Sequence, residues 1–287
     1  MFEVVLNGLV LGGMYGLIAL GLNLQYGIAR MLNLSYGEFF TAGAFASFFA
    51  VTLYHLNPLL GLVVSIPVAF VANWLIYRFL LLPLVRRAPN RDALDSDIVL
   101  VTFGLLFVFQ GFEQMYWGGN VRAYQFLSFS INFLGASLPV NRLLAFVAAM
   151  VLGGALILLL RKTRFGTALR AIAIDPIAAG LSGINVLNLS ALAFALGGAM
   201  VAISGALVST FIAISASIGI LYTLKALIVI IVGGPGRMGG AIAAGLLLGL
   251  AEALGGYYID SSLTLAINYA ILILVLLIKP TGLFSRG

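Results

Sequence analysis

Three ionisable side chains sit inside runs that are otherwise almost wholly apolar. Lys225 lies in "LYTLKALIVIIV", Glu252 in "LLLGLAEALGG", and Glu38 at the start of "GEFFTAGAF". Charge in such surroundings is costly unless it is paired or faces a cavity. Lys225 is 8 residues before Gly233 and Glu252 is 12 after Gly240. At about 1.5 Å per helical residue both fall roughly 12–18 Å from the glycine-rich turn between them. Their spacing suits an ion pair, with Glu38 as a competing partner for Lys225. Such a pair either only holds two helices in register or polarises a path for a zwitterion, and both roles stay open. Nucleophilic, metal and triad chemistry is poorly supplied: there is no cysteine and one histidine, His55, at the end of an apolar run. Composition and pattern therefore give no constellation for a membrane-embedded enzyme.

The elements that position these residues are membrane spans. Of 287 residues 62% are hydrophobic and 8% charged, with a mean hydropathy of +1.16. Ordinary soluble domains are about 25% charged. The expected fold is an all-α integral membrane protein, a polytopic bundle of about eight or nine helices. Candidate spans are 3–25, 37–54, 59–82, 98–117, 142–160, 188–213, 218–232, 240–257 and 263–279, each near the roughly 20 residues a helix needs to cross. The first, which carries Glu3 and no basic n-region, reads as a retained span. The 34 glycines suit close helix–helix approach. One domain, 1–287, is expected.

Net charge is +6 with a pI near 9.7. Its distribution points away from nucleic acid. Arg78, Arg86, Arg87 and Arg91 crowd one connection, and Arg161, Lys162, Arg164 and Arg170 another, whereas 118–141 holds only Arg122. Cytoplasmic loops carry such an excess, so the first two belong inside and the third outside. Lys279 and Arg286 then put the C-terminus inside and the N-terminus outside. Tyr116, Trp117, Tyr257 and Tyr258 read as interfacial anchors, Glu113 as solvated near that interface. Arg122 and its loop could receive a soluble partner.

The stretch "RKTRFGTALRAIAIDPIAAGLSGI", 161–184, predicts two short helices. The first covers 166–174. Asp175 is a suitable N-cap for the second, with Pro176 at its first position. Ile177, Leu181 and Ile184 then form one apolar stripe. Residues 26–37 and 233–240 are glycine-interrupted segments in corresponding halves, either plain turns or breaks bordering a transport path. On the second reading the path runs beside Asn33, Tyr36, Glu38, Gly233, Gly234 and Gly236, with Lys225 and Glu252 as further candidates.

Three stretches carry a family resemblance. "GTALRAIAIDPIAAGLSGI" resembles the cytoplasmic coupling segment of branched-chain amino acid ABC-importer permeases. Residues 7–45 resemble the first-half signature through Asn33, Ser35, Gly37 and Glu38, with Tyr36 where His is common. Residues 224–254 resemble the second-half signature of Lys-Ala, a glycine-rich break and a later Glu. The whole is similar to the shorter, LivH-like subunit. The resemblance implies docking on ATPases through 161–187, with Arg164, Gly166, Arg170, Asp175, Ala178, Ala179 and Gly183 as coupling residues. It also implies a LivM-like permease, two ABC ATPase subunits and a periplasmic binding protein as partners, in a bacterial inner membrane. Neither a cofactor nor a nucleic acid is expected on this chain. "GGPGRMGG" offers Arg237 and Met238 where a P-loop requires Lys and a hydroxyl, so ATP and magnesium belong to the ATPases. Branched-chain or other apolar amino acids are the default substrates, with urea, amides and aromatic acids within the family's range. A standalone secondary transporter or channel is the alternative.

Overall fold

The computed structural model describes residues 1–133, 136–260 and 263–284; Arg286 lies outside them. The chain is an all-α membrane protein with one small hairpin. Its helices are α1 (Phe2–Ala29), α2 (Tyr36–Thr52), α3 (Gly61–Leu75), α4 (Leu82–Arg87), α5 (Arg91–Trp117), α6 (Val140–Lys162), α7 (Arg164–Ile174), α8 (Pro176–Leu181), α9 (Val186–Val208), α10 (Ile218–Gly233), α11 (Met238–Tyr258) and α12 (Thr264–Ile278). A short turn, Pro58–Leu60, and a π-helical stretch, Ile76–Leu81, make α3 and α4 one continuous span. The π stretch lies just before Pro83, which has no N–H to offer the carbonyl four residues back. A wider turn is a normal response to that loss.

Five helical segments are long and apolar enough to cross a bilayer: α1, α3–α4, α6, α9 and α11. α10 and α12 are apolar but shorter, at 16 and 15 residues, and α2 has 17. α2 starts one residue before the expected position 37 and ends two before the expected 54, and residues 30–35 ahead of it are uncoiled. Segment 26–37 narrows to 30–35, since α1 runs on to Ala29, and 233–240 narrows to 234–237.

α1 and α9 form the centre. A Cβ added to Gly249 of α11 would collide with the backbone of Gly12, and one on Gly12 would lie 2.6 Å from the Leu246 Cα. α9 meets α2 the same way, with Gly205 against the Phe40 backbone and Gly43 against Ala202. Backbones come this near only where both faces are small, and the gain is dispersion over a long contact. Aromatic stacking completes the core, with Phe40 on Tyr222 at 4.0 Å between ring centres.

The positive charge gathers at one end. There Arg30 donates to the Ala173 carbonyl at 3.0 Å, Arg91 to the Arg30 carbonyl at 2.7 Å and Arg237 to the Phe284 carbonyl at 2.6 Å. At the other end the 118–139 connection, expected to be a loop, includes a hairpin of β1 (Ser130–Phe133) and β2 (Ala136–Pro139). Arg122 and Ile214 exchange backbone hydrogen bonds of 2.8 Å, tying this connection to the α9–α10 turn.

Candidate functional site: membrane-depth charges and the basic end

Lys225 of α10 and Glu252 of α11 form the expected ion pair, at 2.9 Å. The ammonium also donates to the Tyr15 hydroxyl at 2.6 Å and lies 4.5 Å from the centre of that ring. Asn268 of α12 donates to Glu252 Oε2 at 3.0 Å. Four helices thus converge on one network that pairs the two charges, the arrangement that makes buried charge tolerable. Tyr15 and Asn268 were not foreseen; Asn268 in "LTLAINYAILILV" was the available signal, a lone amide in an apolar run.

Glu38 does not compete for Lys225. Its carboxyl instead meets that of Glu113 from α5. Glu113 is 7% exposed and lines a cavity with Glu38, which corrects the expectation of a solvated residue. The error came from Trp117, read as an interfacial anchor. Trp117 instead stacks on Phe45 at 4.3 Å, while Tyr116, Tyr257 and Tyr258 are exposed.

The broken segment 30–35 is held from within. Asn33 Oδ1 accepts from the Ser35 N–H at 3.1 Å and its hydroxyl at 2.8 Å, and Asn33 Nδ2 donates to Gln25 at 3.3 Å. Gln25 donates on to Asn73 and to the Phe194 carbonyl. Tyr36 donates to the Ile18 carbonyl at 2.8 Å. Asn33 and Tyr36 are fully buried, and their hydrogen bonds replace those a helix would have made. The second break is a tight turn with Gly234 and Gly236 at φ 90° and 79°. Gly236 N–H donates to Asn23 at 2.7 Å, and Gly233 packs on the Gly240 backbone. Gly236 also lines a pocket of about 510 Å³ with Arg161, Arg170 and Arg237.

At the basic end both short helices carry a side-chain N-cap, and α8 is capped at its C-terminus as well. Thr163 Oγ1 accepts from the Gly166 N–H at 3.0 Å, starting α7 two residues before the predicted position. Asp175 accepts from Ile177 and Ala178 at 2.8 and 3.0 Å. α8 ends with Gly183 at φ 82° and hydrogen bonds from Gly183 to Gly180 and Ile184 to Ala179, a Schellman cap. Ala179 is buried and Ala178, Arg164 and Arg170 are exposed. Gly166 abuts the Leu160 backbone, fixing α7 to the end of α6. Ile174, Ile177 and Leu181 are 81%, 75% and 87% exposed.

The sequence matches the family described as "Branched-chain amino acid transport system / permease component" over residues 4–276. The chain belongs to that family. It is 33% identical to the high-affinity branched-chain amino acid transport system permease protein LivH of Escherichia coli K12, across 98% of this chain and 94% of that protein. It is 31% identical to the corresponding protein BraD of Pseudomonas aeruginosa, across 98% and 95%. A probable LivH of Methanocaldococcus jannaschii is 27% identical, across 98% and 92%. In this permease the family's first-half Asn33 and Glu38 thus separate into a brace and a cavity wall, and its second-half Lys225 and Glu252 meet.

Proposed function

We propose that this permease is one membrane subunit of an ATP-driven importer for branched-chain or other apolar amino acids or related small amides. A periplasmic binding protein delivers substrate, a LivM-like permease completes the path, and two ABC ATPases bind ATP and magnesium. The chain itself is a transport subunit without catalytic residues or cofactor, one permease domain in the inner membrane. Its helical segments, about eight or nine, cross with the N-terminus outside and the C-terminus inside.

The observation that carries this reading is α8. A six-residue helix capped at both ends, it seats Ala179 against its own chain and presents Ile177 and Leu181 to solvent, with Ile174 exposed at the end of α7 just before it. It suits a groove on a soluble partner. Arg164 and Arg170 flank the groove, Asp175, Ala178, Ala179 and Gly183 shape the helix, and Gly166 fastens α7 to α6. Because α8 leads through Asn185 into α9, a push on it reaches the most buried helix of the bundle. That is how nucleotide-driven closure outside the membrane would bias inward- against outward-facing packing.

The path is assigned to the α2 side at Glu38. Lys225 and Glu252 clamp α10 to α11 beside it, and Asn33, Tyr36, Gly233, Gly234 and Gly236 hold the two breaks in shape. The test is affinity purification of the tagged chain from its native host, followed by mass spectrometry. Recovery of a second permease and ATPases is expected. A monodisperse chain alone that transports in liposomes without ATP would overturn the proposal.

A further inference from the structure

The carboxylates of Glu38 and Glu113 have no answering charge. They lie in a cavity of about 440 Å³ bordered by α2, α3 and α5, a size typical of small-molecule sites. Glu38 is 2% and Glu113 7% exposed. Both Glu38 oxygens and Glu113 Oε2 meet no donor, and Ser65 Oγ, 6% exposed on the opposite wall, has no partner either.

Charged groups on the surrounding elements are already engaged. Lys225 is held by Glu252 and Tyr15. Arg122, beyond the end of α5, donates to the Trp117 carbonyl and lies over Phe48. α3 brings Ser65 and apolar side chains, α9 brings Ala202, and Tyr116 and Trp117 form the rim. Two touching carboxyls in such a place do not both ionise; one proton shared between them leaves a single negative charge. A shared proton satisfies one oxygen of each group at most, so acceptor sites remain open. Phe39, Phe109 and Phe112 add aromatic surface to the same cavity, favourable to a cation once it is desolvated.

We propose that the Glu38–Glu113 cavity binds a primary ammonium group carried on a short apolar chain, the ammonium displacing the proton that the two carboxyls share. The step balances. One ammonium enters with its three N–H donors, both carboxylates and the Ser65 hydroxyl accept, and one proton leaves to solvent. No covalent bond to the ligand forms. Binding therefore tightens as pH rises, for as long as the pair still holds its proton. This rests on the transport reading only in taking the ammonium to be that of an imported amino acid.

The experiment uses the protein in nanodiscs with the subunits that co-purify with it. Infrared difference spectra are recorded on adding leucine, isoamylamine (leucine without its carboxylate), isocaproate (leucine without its amine) or potassium chloride. Loss of a protonated-carboxyl C=O band, with proton release to a weakly buffered dye, is expected for leucine and isoamylamine and not for isocaproate. Glu38→Gln and Glu113→Gln should each abolish that band change and weaken isoamylamine binding by about tenfold or more. Glu113→Asp should keep a weakened response, showing that the Gln result is not misfolding. No band change with either amine overturns the proposal. An equal change with potassium chloride overturns the amine assignment in favour of an inorganic cation site. ATP-dependent leucine uptake by the same preparation is scored separately, so the site can fail while the importer reading stands.

Discussion

At Lys225 the ammonium has three donors and three acceptors within reach: both Glu252 oxygens and Tyr15 Oη. Removing the cation alone leaves Glu252 charged with only the neutral groups of Asn268 and Tyr15 to answer it. Lys225→Met should cost about 3–5 kcal/mol, as loss of one member of a buried pair does. The double change Lys225→Met with Glu252→Leu should recover most of that. Reversible unfolding in mixed micelles measures both, and additive losses would show that the two charges do not act as a pair. Tyr36 makes a smaller claim. Its hydroxyl donates to the Ile18 carbonyl and also meets the Leu22 backbone, and Tyr36→Phe should cost about 1 kcal/mol with uptake unchanged. A substrate-contacting Tyr36 would instead change the KM for uptake.

Between elements, stability depends on how near two backbones can come. A Cβ on Gly249 collides with Gly12, whereas one on Gly154 of α6 meets open space. Gly249→Ala should therefore destabilise by about 1–3 kcal/mol, while Gly154→Ala should be neutral or add up to about 1 kcal/mol through helix propensity. Thermal unfolding of the two variants, side by side, decides this. For the coupling element, Gly183→Arg is a poor probe, since the positive φ of that cap would strain any side chain. Ile177→Asp and Leu181→Asp replace exposed side chains and leave both caps intact. Each should lower substrate-stimulated ATP hydrolysis at least several-fold without reducing membrane insertion. Unchanged stimulation would detach α8 from the ATPases.

Across the whole molecule, the asymmetry of charge makes the orientation testable. Arg86, Arg87, Arg91, Arg161, Lys162, Arg164, Arg170 and Lys279 flank the ends of helices that all finish or start on one side, and Arg122 and Arg142 stand at the other. The absence of cysteine provides a clean background. Asn120→Cys should react with a membrane-impermeant maleimide from outside intact spheroplasts. Arg87→Cys should react only in inverted vesicles. The reverse pattern would invert the topology and with it the side on which α8 meets its partner.

Hydropathy, charge placement and cap residues were local properties, and they were legible: the helical segments, the charged end, Asp175 capping α8 and the Lys225–Glu252 depth match all follow from residue type and spacing. They need only neighbours within a turn or two, or a ruler of 1.5 Å per residue. What tertiary packing alone decided was which polar group met which. Glu113 looked solvated because four residues separate it from Trp117, but Trp117 turned inward onto Phe45 and the carboxylate went with it. Asn33 and Tyr36 looked exposed to a path because their segment is broken, but Gln25, Ser35 and Ile18 closed over them. Such outcomes depend on contacts between residues far apart in the chain, where one-dimensional spacing carries no distance. The partnership of Glu38 with Glu113 across 75 residues is the clearest of these, and it exists only because α2 and α5 were packed side by side.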